Sequence, residues 1–293
     1  MIWKELAWDG VRFVMPADWD AAKLGPGYVM LENEFGPVME LRSRAIKGVF
    51  SPRDQLKKLR SAQDKQLGGL IQEIALPQAW REPLKPFRAF GFSWKGEGLR
   101  GKGLVIYCPT CKRVTAIQFF EKGKPGTGDA LSARVLESFQ DHRTDNRVLW
   151  AVFDIHALVP SAYRLTRHRF EPGEFEMVFS RRVQKITLHR WAPASALMGE
   201  GGLFAFLEKL PYLHKKKFQE IQAPEIDGLE WNEEPCSTLF GRVRWIRNLK
   251  PSLRRFRLWH VEEKNRILGV GYQGRGNIEP ALFDRVCKEY VCI

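Results

Sequence analysis

Apolar and polar positions alternate through most of this chain, the period of a half-buried strand, and the alternation is broken by shorter helical stretches. The segment VRFVMPADW (11–19) is an apolar run closed by Pro16, and IHALVPSAY (155–163) closes the same way at Pro160. Proline cannot donate to a ladder and so ends a strand. The aromatic three residues on, Trp19 or Tyr163, is then free to fold back over the sheet. Next, GPGYVML (25–31) faces EPGEFEMVF (171–179), and VMELRSR (38–44) faces KITLHRW (185–191), with Met39 and Leu41 against Ile186 and Leu188.

Helical signals follow in both halves. Ser51 is an N-cap residue, Pro52 suits the first helical position, and Asp54 completes a capping-box pattern. Leu56, Leu59 and Leu67 then lie on one face before Gly68-Gly69. In the second half GGLFAFLEKL (201–210) carries Leu203, Phe206, Leu207 and Leu210 on one face, up to Pro211. FGFSWKG (90–96), with Trp94, matches VRWIRN (243–248), with Trp245. GLVIYC-PTCK-RVTAIQFF (103–120) reads as a hairpin whose counterpart is RFRLWHVEEKNRILGVGY (255–272). Ile117 there matches Val270, and Phe119 matches Tyr272. Closing helices place Leu131, Val135 and Phe139 on one stripe, and Leu282, Val286 and Tyr290 on another.

The repetition predicts two similar domains, residues 1–147 and 148–293, joined at the polar stretch DHRTDNR (141–147). Each is expected to be α+β: an antiparallel β-sheet flanked by helices. The Trp8-to-Trp19 segment with its VMPADW, the VMELRSR strand and the closing VLESF (135–139) resemble the PsbP/Mog-like superfamily. The second half carries the resemblance more loosely, with Tyr163 for the tryptophan and CKEY for LESF. The resemblance implies a sheet sandwiched by helices in each domain. It also implies a binding or accessory role, since members include an extrinsic photosystem subunit and a GTPase-binding protein.

The 293 residues carry a formal net charge of +13, with 24 basic against 17 acidic residues up to Arg147 and 23 against 17 after it. An excess spread over both halves favours an acidic partner, or nucleic acid as the alternative. Charged residues at Lys4, Glu5 and Asp9 leave no room for a signal-peptide apolar region, and no apolar run approaches a membrane span. The expected setting is cytoplasmic. The five cysteines, Cys108, Cys111, Cys236, Cys287 and Cys292, do not suit a secreted disulfide framework.

Two constellations could carry chemistry. Cys108-Pro-Thr-Cys111 at a hairpin turn offers two thiolates to a metal. With no second C-x-x-C and no paired histidines, it is two ligands short, so an unliganded pair and no cofactor are expected. Basic runs are the other: Lys215, Lys216 and Lys217, then Arg254, Arg255 and Arg257 beside Trp259. In strand register Arg255, Arg257 and Trp259 share a face, which would suit carboxylates or phosphates with a ring alongside. The histidines form no metal spacing, and His189 is expected to face solvent beside a core Leu188. Glycine-rich GEGLRGKG (96–103) and GYQGRGN (271–277) match no phosphate-loop pattern and read as turns. No nucleophile elbow or carboxylate pair stands out, so an enzyme with a site in the interdomain cleft is a further alternative rather than the leading reading.

Overall fold

In a computed structural model the described residues are 2–64, 70–96, 98–121, 128–142, 146–210, 213, 216–223, 226–233, 252–274 and 278–293. The protein is α+β with antiparallel sheets, and it divides into two compact units. Residues 1–145 and 149–153 form one; residues 146–148 and 154–293 form the other. Among the described residues no helix is long and apolar enough to cross a membrane.

The first unit opens with the hairpin β1 (Trp3–Trp8) and β2 (Val11–Pro16). Its main sheet is built from β3 (Asp20–Gly25), β4 (Tyr28–Asn33), β5 (Gly36–Ala45), β6 (Leu70–Ile74), β7 (Arg88–Gly96), β8 (Leu99–Cys108) and β9 (Arg113–Phe120). The spatial order is β3-β4-β5-β9-β8-β7-β6. Two layers cover it. Helix α1 (Pro52–Asp64) begins at the expected proline, and Ser51 Oγ accepts from the Asp54 N–H at 3.3 Å. Its Leu56 and Leu59 pack with Phe92, Trp94 and Val105 on one face. Leu67 and Gly68-Gly69 lie outside the described residues. On the other face α2 (Gln78–Arg81) brings Trp80, fully buried, to 5.6 Å from Phe119, and the Trp80 indole donates to Ser132 of α3 (Asp129–Glu137).

The hairpin expected over residues 103–120 is present as β8 and β9, which pair from Gly101↔Phe120 to Cys108↔Arg113. The stretch 96–103, expected as a turn, turns only at its start. Gly101 and Gly103 lie inside β8 because aromatic rings cross them: a Cβ on Gly103 would stand 2.4 Å from the Phe92 ring. The stretch 141–147, expected as a linker, ends inside a strand, β10 (Arg147–Val152), whose Ala151 pairs with Ala7.

The second unit contains β11 (Ile155–Pro160), β12 (Arg164–Glu171), β13 (Glu174–Arg181), β14 (Gln184–Trp191), β15 (Gln219–Ala223), β16 (Ile226–Asn232), β17 (Ser252–Val261) and β18 (Arg266–Gly274). Its sheet order is β12-β13-β14-β18-β17-β16-β15. One face is covered by α4 (Ala194–Met198) and α5 (Gly202–Glu208), whose Phe206 meets Trp191 edge-on at 5.2 Å. Against the other lies α6 (Pro280–Lys288), followed by β19 (Tyr290–Cys292), which pairs with β11.

His189 corrects the expectation of a solvent-facing residue. It is buried, stacked on Trp191 at 4.9 Å with rings 4° from parallel. The reason is topological: β14 lies inside the sheet between β13 and β18, and both faces are covered. Burial, with Arg169 and Arg167 adding to it, pulls its pKa down to about 3. Trp245, Cys236 and Lys215 lie outside the described residues.

Candidate functional site

Helix α1 shields the β6–β9 side of the first sheet and stops short of the β4–β5 side. There the sheet face carries a cavity of about 760 Å³, wholly within the first unit. Its bed is apolar: Met30, Pro37, Phe92, Leu99 and Phe120. The polar groups come from neighbouring strands at one level. Tyr28 stands on β4, Glu40 and Arg42 on β5, Gln118 on β9, and the exposed Lys23 on the edge strand β3.

Strand alternation sets this arrangement. Tyr28 pairs with Arg42, and Glu40 with Gln118, so the four side chains share a face. Glu40 is buried, and one of its carboxylate oxygens accepts from Arg42 Nε at 3.0 Å and Nη2 at 2.7 Å. Its other oxygen accepts from Gln118 Nε2. Arg42 is thereby held with its guanidinium 5.1 Å from the Tyr28 ring centre and half its side chain exposed. Burial and the Glu40 carboxylate push the Tyr28 hydroxyl up to about 12, so it stays protonated at neutral pH and can donate. The result is a concave apolar surface with two cations at its mouth, one fixed by a buried carboxylate, which is the form of a ligand site. In sequence this was invisible: Tyr28, Glu40 and Gln118 are far apart, and only strand pairing brings them together.

The basic run expected to form a contact surface is placed differently. Arg254 is 1% exposed; it donates to the Gly274 carbonyl at 3.2 Å and pairs with Glu233. Arg255 and Arg257 do share a face, as strand alternation predicts, but α6 packs over it. Arg255 stacks 4.3 Å from the centre of the Phe283 ring, and both arginines bind Glu230 and Asp284 at 2.5–3.1 Å. Trp259 is buried against Tyr290 at 6.1 Å. Charges paired and covered in this way bind the sheet to its helix and project little field outward. This placement follows from the closing helix, whose acidic residue, Asp284, strand periodicity could not assign to this face. Of the lysine run, Lys216 sits 3.5 Å over the Trp231 ring, and Lys217 is exposed.

The cysteine pair gains partners that sequence spacing did not supply. Cys108 ends β8 and Cys111 lies in the turn to β9. Asp141 and His142 follow α3. Cys111 Sγ donates to Asp141 Oδ2 at 3.1 Å, His142 Nδ1 lies 2.6 Å from Asp141 Oδ1, and Cys108 Sγ lies 3.8 Å from His142 Nδ1. All four ligand atoms fall within 4.8 Å of one another. Burial and Asp141 push the Cys111 thiol up to about 12, which keeps it a hydrogen-bond donor in the metal-free protein. A search for a second C-x-x-C or paired histidines misses this set, because a carboxylate and an imidazole adjacent in sequence complete it.

No protein-family model matches the chain, and no curated protein matches it. Among solved structures it is similar to the Saccharomyces cerevisiae Ran-binding protein Mog1p, at 9% identity over 48% of this chain and 96% of that one, with a TM-score of 0.32. It is similar to a Bacteroides thetaiotaomicron structure at 14% identity over 54% of this chain and 53% of that one, with a TM-score of 0.31. It is also similar to the T6SS immunity protein TplEi of Pseudomonas aeruginosa, at 9% identity over 99% of this chain and 97% of that one, with a TM-score of 0.38.

Proposed function

We propose that this chain is a two-domain binding or accessory protein that recognises an acidic partner, and that the β4–β5 cleft of its first domain is where the partner docks. The observation that carries this reading is the placement of Arg42 and Lys23 at the mouth of an apolar cavity, with Arg42 held by Glu40. A pre-positioned guanidinium loses little freedom on meeting a carboxylate, and the apolar bed accepts a neighbouring side chain. The net charge of +13 supports the same sign of partner at longer range, and the Lys215–Lys217 run adds to it. A nucleic-acid reading is less well supported, because Trp259, the ring beside the basic run, is buried.

We also infer that the two domains are copies of one ancestral unit. The matching sheet orders support this, as do details at one constant offset. The Trp19 N–H donates to the Pro16 carbonyl at 3.1 Å, and the Tyr163 N–H to that of Pro160 at 2.9 Å. The pairing register slips between Ala21 and Lys23 in β3, and between Leu165 and Arg167 in β12. An experimental structure in which Pro16 superposes on Pro160, Trp19 on Tyr163 and Phe139 on Tyr290 supports the duplication; failure of these pairs to coincide contradicts it.

The binding reading is tested by selecting from a random peptide display library on the full-length protein. The expected consensus is an Asp or Glu beside a large apolar residue, lost when selection is repeated on Arg42→Glu. A consensus without acidic residues, or one unchanged on that variant, contradicts it.

A further inference from the structure

We propose that Cys108, Cys111, Asp141 and His142 form a closed tetrahedral site for a zinc-class divalent cation, clipping the β8–β9 turn to the segment after α3. Two thiolates, an imidazole and a carboxylate are the donor types zinc takes, and sulfur donors disfavour magnesium or calcium. Zinc–ligand distances of about 2.0–2.3 Å imply edges of roughly 3.5 Å between ligand atoms on a tetrahedron. Three of the six separations are 2.6, 3.1 and 3.8 Å and the others fall within 4.8 Å, so a cation draws any pair of donors together by at most about 1.3 Å, shared between the two atoms.

The donors are also held in place from both sides. Lys112, next after Cys111, takes φ 55°, so the chain wraps around the sulfur and the Arg113 N–H is directed at it. This left-handed turn is anchored by the Lys112 N–H to the Cys108 carbonyl and by the Ile46 N–H to the Lys112 carbonyl, each at 3.0 Å. On the other side Gln140, the residue before Asp141, exchanges two backbone hydrogen bonds of 2.8 Å with Arg12 of β2. Phe139 is buried beneath it.

The charge pattern points the same way. Asp141 is 4% exposed, with its carboxylate against a thiol and an imidazole. A buried carboxylate beside two sulfurs repels a thiolate, which is the reverse of what a nucleophilic or redox cysteine pair needs. A divalent cation answers it: the two thiols release their protons to water, and four protein donors close the coordination sphere. With no open position, the site is structural. It joins residues 108–111 to residues 141–142 across the closing helix of the first unit.

The test uses full-length protein stripped with a chelator under reducing conditions, then titrated with Co²⁺. The expected result is tetrahedral cobalt–thiolate absorption that saturates at about one equivalent and is bleached by one equivalent of Zn²⁺. Cys111→Ser should abolish the band. His142→Gln, at a side chain about one-third exposed, should keep the far-UV circular dichroism of the parent while cobalt affinity falls at least tenfold. The paired variant Cys287→Ser with Cys292→Ser should leave the band intact. Absence of the band in the parent protein overturns the proposal, as does a band of unchanged affinity in His142→Gln.

Discussion

Glu40 and Gln118 are cross-strand partners at the centre of the first sheet, and their side chains hydrogen-bond beside the apolar bed of the cleft. At the matching place in the second unit the pair is Thr187 and Gly271. A Cβ on Gly271 would lie 3.1 Å from the Phe256 ring, and one on Gly269 would lie 2.9 Å from Trp191. The same sheet position is thus a polar pair lining a cleft in one unit and an aromatic packing layer in the other.

Filling that aromatic layer should be costly. Gly269→Val places its added carbons where Trp191 and Phe256 already stand, so overpacking should cost about 1–3 kcal/mol. Urea denaturation followed by tryptophan fluorescence measures it. A change within about 0.5 kcal/mol would mean that the two rings are not packed over the glycine.

His189 predicts a specific pH dependence. Its folded pKa of about 3 lies below the usual 6.5, so the native state holds it neutral while the unfolded chain takes up a proton. The stability this contributes is full above pH 6.5 and is lost as the pH falls from there towards 3. Below about pH 6 the loss approaches 1.4 kcal/mol per pH unit. His189→Gln should remove that part of the slope between pH 6.5 and 5, measured as the difference from the parent by chemical denaturation. Equal slopes in both proteins would show that His189 titrates normally.

Asp154 predicts the opposite case, a carboxylate held low. Burial opposes its charge, but hydrogen bonds from Arg190 at 2.5–3.1 Å and Arg266 at 2.7 Å prevail and lower its pKa. Its contribution is present above the unfolded carboxylate range, near pH 4, and is lost as pH falls through the lowered folded value. Arg190 is largely buried, its guanidinium 4.0 Å from the Phe175 ring centre. Asp154→Ala should therefore leave a nearly buried cation uncompensated, at a cost of roughly 2–4 kcal/mol. Thermal denaturation at neutral pH tests this, and an unchanged midpoint would contradict it.

The strands were legible because their period is local. Met39 and Leu41 pair with Phe119 and Ile117, and Ile186 and Leu188 with Tyr272 and Val270; alternation placed each of these residues on a strand, and repetition matched them between the halves, but neither named the strand partners. What covers each face was not legible. Arg255 and Arg257 read as an open contact face because Phe283 and Asp284, which cap them, lie on a helix more than twenty residues away. His189 read as exposed because alternation shows that a residue leaves one face but not whether a second layer waits on the other. The cleft at Glu40 and the four donors around Cys111 depend on pairings across 78 and 30 residues, which no window of periodicity spans.

The most direct test of the account is a charge swap at Arg42. A fluorescein-labelled acidic peptide from the display selection is titrated against the parent and against Arg42→Glu, alongside a second peptide whose acidic residue is replaced by Lys. The account predicts that Arg42→Glu weakens the acidic peptide at least tenfold, about 1.4 kcal/mol, that the Lys peptide recovers part of that loss on the variant, and that rising salt erodes both effects. Equal affinity of the acidic peptide for parent and variant, at low salt and with both proteins folded, would contradict it.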